Sequence, residues 1–531
     1  MSMRGIRRMV VSALFVGACT CCAAYKPAVA PLMTVWGERM TPESAWREYP
    51  RPQLVRDGWI NLNGLWEYAV TPKNGEQPVE WQGRILVPFS VESALSGVGR
   101  PIEPGELLWY RRTFEAQPRK GERLLLHFGA VDFRTQVWVN GVEVTDVPNE
   151  SGNLPFSLDI TEAVKAGANE LVLSVWDPSN EGFQSVGKQC LKPHGCMYTR
   201  VTGIWQTVWM ESVPETHVTG YRVVTDIDAG TVAVTLCAAG NLMAAAAEVE
   251  VLREGAVLAK GNVLEWGKPV VLKLKDPLLW SPQAPNLYDL RMSLKSASGS
   301  DQVKGYFGMR KHIKIEPLRY YYLCDKMGIM IWQDMVSGWK DGEDRYALYR
   351  RELKGMMDLL QTVPSVVMWV PYNEGWGQPG KAKTNMTQAW VKRYDPTRLA
   401  NGPSGWTDYG VGDARDMHKY PGRRTEQAPP AGLRGGQKDG ARDAQGAGSD
   451  VDEDSSSVEV YVRRAGRGLG EGGVRRRRVE KRRGRLRERE NQDRPSAGGG
   501  AYRMGGARHL APACIRVLRG CSVAGVSQHL L

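Results

Sequence analysis

Hydrophobic and polar positions fall into three patterns along the chain. From about residue 34 to 215, short runs rich in Trp, Val, Leu and Thr alternate with Gly, Pro and Asn. Gly64–Val70, Leu108–Phe114, Arg123–Phe128, Thr135–Val139 and Glu170–Trp176 each have the length of a strand. Asn140-Gly141, set between Val137-Trp138-Val139 and Val142-Glu143-Val144, predicts a tight hairpin. The type I′ turn needs positive φ at both central residues, and Asn-Gly tolerates it. No helical period appears here, so the expectation is an all-β sandwich over residues 34–217.

A second β segment runs from about Val218 to Met309, with Tyr221–Asp226, Val232–Cys237, Ala247–Leu252, Val270–Leu274 and Leu287–Leu294 as strands. Five to seven strands in about 90 residues predict an immunoglobulin-like β-sandwich over 218–309. The period then changes. Gly328–Gln333 is a continuous apolar run that reads as a buried strand. Asp344–Leu360 spaces Tyr349, Leu353, Met356, Met357 and Leu360 three or four apart, the mark of an amphipathic helix. Val366–Val370 reads as another buried strand and Ala382–Tyr394 as another helix. Strands alternating with helices predict a parallel sheet in an α/β unit over 310–422.

Composition divides the chain at the end of that unit. All 18 Trp and all eight Phe precede residue 407. Residues 423–531 hold 23 Lys+Arg against 13 Asp+Glu, so of the net +12 the first 422 residues carry only +2. The basic character therefore says nothing about partners of the body. The tail has no sustained period and too few apolar residues to offset chain entropy, so 423–531 is expected to be a disordered Arg/Gly-rich tail. Its arginine run around Arg475–Arg489 has no fold to present it, and an exported chain does not meet nucleic acid, so no nucleic-acid partner is expected.

Met1–Ala24 places Arg4, Arg7 and Arg8 before the apolar stretch Met9–Ala18 and then small residues, the layout of a secretory signal peptide. Val16-Gly17-Ala18-Cys19 also fits lipoprotein processing, and a membrane contact is expected only if Cys19 is lipidated. Both cleavage modes remain open; an exported chain is the expectation, beside the alternative of a retained or mitochondrial leader, which would be longer, amphipathic and rich in Arg and Ser. Cys190 and Cys196 bracket a turn and either pair across it or stand as separate thiols; Cys237 and Cys324 read as core. No C-x-x-C pair or histidine cluster suggests a metal, and no cofactor is expected.

The candidate chemistry lies in Val366–Gln378, V-V-M-W-V-P-Y-N-E-G-W-G-Q. A buried strand ending at Val370 delivers Asn373 and Glu374 to the loop at its C-terminal end, the face on which β/α barrels build active sites. Glu374, beside an amide and Trp376, suits a general acid toward a glycosidic oxygen. An isolated Asn-Glu pair would read as an ordinary turn; its surroundings decide otherwise.

Those surroundings include Arg51-Pro52-Gln53-Leu54, Trp59 through Trp66, Trp109-Tyr110-Arg111-Arg112, Val137 through Gly141, Leu154 through Thr161 and Gly203-Ile204-Trp205-Gln206. Leu279-Trp280-Ser281-Pro282, Phe307-Gly308-Met309-Arg310, Trp332-Gln333-Asp334 and Asn373-Glu374 follow in order. Over about residues 36–422 the chain resembles glycoside hydrolase family 2, the group of β-galactosidases, β-glucuronidases and β-mannosidases. The resemblance implies a jelly-roll sugar-binding domain, an immunoglobulin-like domain and a catalytic TIM (β/α) barrel. It implies retaining hydrolysis of a β-linked glycoside, with Glu374 as acid/base. It also places Asn373, His312, Asp334, Trp376, Trp406 and His418 as substrate-binding residues. Each has a plainer alternative: loop histidines, an Asp334–arginine pair, tryptophans packed as core.

The sequence departs from the family in two places. Met309-Arg310 runs straight into Lys311-His312, so the first barrel strand, the first helix and part of the second strand are absent. After Tyr420-Pro421-Gly422 the basic tail begins where relatives continue to the strand that carries the nucleophile. Gly470-Glu471-Gly472-Gly473 lacks that strand's aromatic residue and the apolar run before it, and Glu471 is assigned no role. The expectation is a partial barrel without its nucleophile. Two other readings stand beside it. One is a non-catalytic carbohydrate-binding protein. The other is an active enzyme whose gene prediction went wrong at Arg310 and after Gly422. The identity of the sugar and the oligomeric state are not written in these residues.

Overall fold

The computed structural model describes residues 25–30, 32–195, 197–281, 284–306, 315–336, 343–405 and 407–417, and three short strands beyond them. The leader with Cys19, Cys196, most of the tail with Glu471, and the site candidates His312, Trp406 and His418 lie outside the described residues. No helix among the described residues is long and apolar enough to cross a membrane.

The first unit is a sandwich of two mainly antiparallel sheets. One is ordered Trp59–Asn61, Val208–Pro214, Glu122–Phe128, Phe156–Asp159; the other centres on Gly64–Pro72, Glu106–Ala116, Gly167–Trp176 and Arg134–Val139. Alternate residues of each strand point inward, so Trp66, Tyr110, Phe128, Val137, Leu171 and Met210 form one core. Asn140 and Gly141 take φ of 51° and 80°, and Val139 pairs with Val142 across them, as the Asn-Gly turn predicts. The predicted strands are all present, longer by a few residues than the apolar runs alone suggest.

The second unit has seven strands in two sheets. Three are His217–Asp226, Thr231–Ala239 and Val270–Lys273; four are Ala256–Asn262, Ala246–Arg253, Asp289–Ser296 and Gly299–Tyr306. Val234, Val249, Leu272, Leu290, Met292 and Val303 fill the space between. Cys237 does not join them: it is exposed, because the inward positions of its strand are Val232, Val234 and Leu236, which puts 237 on the outer face. Cys324 is buried as expected.

In the third unit Ile331–Asp334, Val366–Val370 and Leu399–Ala400 form a parallel sheet with Val366–Val370 in the middle. Helices Leu318–Met327, Glu343–Leu360 and Lys381–Tyr394 precede and connect these strands. The five spaced residues Tyr349, Leu353, Met356, Met357 and Leu360 all face the core with Trp369 and Tyr372. The run Gly328–Gln333 is only half strand. Gly328, at φ 71°, ends the preceding helix by donating its N–H to the Cys324 carbonyl, and Ile329 and Met330 are exposed before pairing begins at Ile331. Helix Leu318–Met327 was not among the elements expected from the sequence; Pro317 at its start and Gly328 at its end were the signal that could have shown it.

The tail is not wholly without pairing. Glu459–Val462 runs antiparallel to Ala414–Met417, and Lys481–Arg482 to Arg485–Leu486. Against the expectation of uniform disorder, Glu-Val-Tyr-Val alternates and is rich in β-formers, which suits it to an edge.

The first and third units are joined by a buried carboxylate. Glu352, on helix Glu343–Leu360 and 1% exposed, accepts hydrogen bonds from Ser151 Oγ at 2.9 Å and Ser185 Oγ at 2.5 Å. Burial pushes its carboxyl up, and the two serines act against that shift. Replacing both serines by alanine leaves the carboxylate buried without these donors, an expected cost of about 1–3 kcal/mol. Thermal melting of the double variant checks it; a midpoint equal to the parent's would show that the clamp carries no stability.

Candidate active site

All three parallel strands end at the same edge, and there the chain builds the Glu374 loop. Beyond Val370, Tyr372–Asn373 pairs in parallel with Pro403–Ser404, and the Glu374 N–H donates to the Ser404 carbonyl at 2.8 Å. Glu374 itself sits in the left-handed region at φ 50°, followed by Gly375 at 75° and Gly377 at 65°. Glycines accept that conformation freely; a glutamate does so at a cost that the surrounding bonds must hold. The Trp376 N–H donates to the Asn373 carbonyl at 2.9 Å and closes the turn.

This fold of the loop turns Trp376 back onto the acid. Its indole Nε1 donates to Glu374 Oε2 at 3.3 Å, and the carboxyl is half-buried. Asn373 is half-buried on the short strand before it. Asp334 closes the neighbouring strand, paired in register with Val370 and 2% exposed, so it and Glu374 reach the same edge from adjacent strands. Tyr349 packs beneath: its hydroxyl donates to the Pro371 carbonyl at 2.5 Å, and burial, with Tyr372 and the Asp334 charge nearby, pushes that hydroxyl far up. A half-buried carboxyl, fixed by an indole N–H above a buried parallel strand, is placed to pass a proton to an oxygen seated over the strand ends.

Of the sequence candidates, Asn373, Glu374, Asp334 and Trp376 thus share one edge. Sequence reasoning missed what comes from outside it. Lys188, in the first unit, places its ammonium 5.8 Å from the centre of the Trp376 ring. No signal in a single sequence joins a loop of one unit to a loop of another. A cavity of about 670 Å³ opens elsewhere, where the three units meet, lined by Trp46, Arg51, His127, Tyr221, Glu316 and Asp358 among others. Its lining includes no residue of the Glu374 loop, and the strand-end geometry is the better guide to chemistry. Among the described residues no group of three His, Cys, Asp or Glu side chains could hold a metal ion.

Known proteins resemble this chain in matching places. Residues 216–310 fit the pattern described as Glycosyl hydrolases family 2, and residues 105–204 that of a glycosyl hydrolase 2 galactose-binding domain-like region. A β-galactosidase of Thermoanaerobacter pseudethanolicus is 29% identical over 198 residues, 35% of this chain and 26% of that enzyme. A β-glucuronidase of Paenibacillus borealis is 24% identical over 296 residues, 51% of this chain and 48% of that enzyme. The chain therefore spans between a quarter and a half of these relatives' length. Among solved structures, a Dictyoglomus thermophilum β-D-glucuronidase matches with TM-score 0.51 and 18% identity, over 66% of this chain and 73% of that one. A Ruminococcus gnavus β-glucuronidase in complex with D-glucuronic acid matches at 0.53 and 18%, over 67% and 74%. At such identity these likenesses speak for the fold alone.

Proposed function

The chain belongs to glycoside hydrolase family 2, and on that premise we propose that its Glu374 edge is a glycosidase site for β-linked glycosides. Glu374 is its acid/base, and Asn373, Asp334 and Trp376 position the sugar. The observation that carries this is the Trp376 N–H on a half-buried Glu374 at the C-terminal end of a parallel strand. In the same reading the second unit is the family's immunoglobulin-like domain, and the third is part of a β/α barrel.

A retaining glycosidase needs a second carboxyl about 5–5.5 Å from the first, to form the glycosyl-enzyme bond. Protonation by Glu374 cannot replace that bond-forming step. With the nucleophile strand absent from the sequence, the chain as written binds glycosides and turns them over negligibly. The expected assay result is no release of chromogenic aglycone from β-galactoside, β-glucuronide or β-mannoside. Restoring the absent segments from the three-frame translation of the gene should bring turnover of one of them. Robust turnover by the original chain, lost on changing Glu374, would show that it holds a nucleophile after all and refute this account.

One observation favours a purely binding role. The two β units each close a complete core, whereas only three strands form the described sheet of the third. If no reading frame supplies an aromatic-rich strand with a glutamate, that role stands for the natural protein as well.

A further inference from the structure

The loop after strand Gly167–Trp176 ties the first unit to the third, and two carboxyl groups lie at its root. Asp177, 2% exposed, folds the loop: its Oδ1 accepts from the Ser179 N–H at 2.7 Å and from Gln184 Nε2 at 3.0 Å. Gln184 also donates to the Ser179 carbonyl at 2.6 Å. Ser179 takes a left-handed φ of 49°, a turn that a serine holds only while such bonds fix it. Further along, the Gly182 carbonyl accepts from Arg345, Ser185 Oγ donates to Glu352, and the Lys188 ammonium stands 5.8 Å from the centre of the Trp376 ring.

Glu92 reaches the same root from another segment, and Thr202 joins the two acids. Its N–H donates to Glu92 Oε2 at 2.9 Å and its hydroxyl to Asp177 Oδ2 at 3.1 Å. Glu92 Oε1 is buried without a hydrogen-bond partner, and neither carboxyl is paired with a lysine or arginine among the described residues. Arg200, two residues before Thr202, is taken by Glu103 at 2.7 Å. Tyr110, which feels the Glu92 charge, is a neutral hydroxyl that burial pushes far up. The loop itself carries Glu181 and Lys188, and the third unit sets Arg345 and Glu352 against it. Two buried anions bound to one residue and left without a cation repel each other and lose hydration.

We propose that Glu92 and Asp177 form a proton-operated latch on loop 177–189: while the two acids keep a proton the loop stays folded against the third unit, and loss of that proton lets it open. Burial pushes Glu92 up to about 7 and pushes Asp177 up as well. Opening takes Asp177 away from Thr202 and lets water reach Glu92, which returns to an ordinary value near about 4.3. Between about 4.3 and about 7 opening therefore releases the Glu92 proton, and the opening constant rises about tenfold per pH unit. Below and above that window the Glu92 contribution is flat. The latch is closed on the acid side and loosest above about pH 7.

The experiment is hydrogen exchange of the backbone amides of 179–189 in the full chain across about pH 5–8, where local opening and closing outrun the exchange step. Base-catalysed exchange alone gives a slope of about one in log rate against pH. The latch adds about one more for Glu92 up to about pH 7, so from pH 5 to 7 the loop amides gain about 100-fold beyond the intrinsic rise. Glu92→Gln, whose amide oxygen can still accept from Thr202, should lose that extra unit of slope. Glu92→Ala should lose it too, and serves if glutamine is not tolerated. Asp177 and Glu352 release protons of their own in parent and variant alike, so the difference between the two reads Glu92. Equal slopes in parent and variant below pH 7 would overturn the latch. An extra slope shared by core amides of the second unit, such as Val234 and Val249, would mark global unfolding and overturn it as well.

Discussion

On the proposed reading of Glu374 as acid/base, in a chain extended with the segments that reading calls for, Glu374→Gln is expected to lower kcat/KM for glycosides with poor leaving groups by about 10²–10⁴-fold, the usual contribution of a positioned general acid. The amide keeps the shape of the side chain and still meets the Trp376 indole, but it has no proton to give. A substrate with an activated phenolic leaving group departs with little protonation and should lose much less in the first step. The measurement is a series of aryl glycosides of rising leaving-group pKa, assayed with the parent and the variant. A loss independent of leaving group would mean that Glu374 acts on geometry rather than as the acid. Trp376→Phe should give a smaller loss, since it removes one hydrogen bond to the carboxylate and leaves the proton.

Glu211→Ala should destabilise the protein by about 3–5 kcal/mol, the range for removing one partner of a buried ion pair. Glu211 has no side-chain exposure and lies 2.8 Å from Arg56 and 3.1 Å from Arg51, with the Tyr49 hydroxyl at 2.6 Å and the Trp209 indole at 2.8 Å. Arg56 continues to Asp301, at 2.8 Å, on the last strand of the second unit, so one guanidinium binds both units together. Burial alone pushes the Glu211 carboxyl up, but the charges of Arg51 and Arg56 outweigh it and hold it at about 2. Its contribution is therefore full above the ordinary glutamate pKa near 4.3 and is lost as pH falls toward 2.

His127, beside this cluster, is pushed by burial down to about 3 and is neutral in the folded chain. Unfolding lets it take a proton below about 6.5, so its contribution is complete above that pH and fades as pH falls to 3. Glu92 and Asp325, raised by burial to about 7 and about 8, act with the opposite sign. The difference between His127→Gln and the parent is thus the quantity to read from guanidinium unfolding across pH 3–8. It should change below pH 6.5 and be flat above it. A cost below about 1 kcal/mol for Glu211→Ala would mean that the cluster does not couple the units.

Legibility followed the range of the interactions. The strands of both sandwiches could be read because inward positions recur every second residue, as in Glu170–Trp176 inside the observed Gly167–Trp176. Helix Glu343–Leu360 could be read because its five apolar residues fall on one face. The Glu374 loop was legible for the same local reason: a buried strand ends four residues before it. Gly328–Gln333 was misread because a helix terminus and a strand start share one apolar run, and Gly328 alone marks the boundary.

By itself, then, the sequence determined the two runs of strands, the change to alternating helices and strands with a parallel sheet, and the strand end that carries Glu374, since each depends on neighbours a few residues apart. Only the tertiary structure decided what meets at those elements. The Ser151–Glu352–Ser185 clamp, the Lys188 ammonium over Trp376, the Arg56 bridge from Glu211 to Asp301 and the Glu374 N–H bond to the Ser404 carbonyl all join distant segments. Hydrophobic periodicity says that a face is buried and not against which partner. Buried charges are fixed by partners brought in from other units, and no local pattern names those.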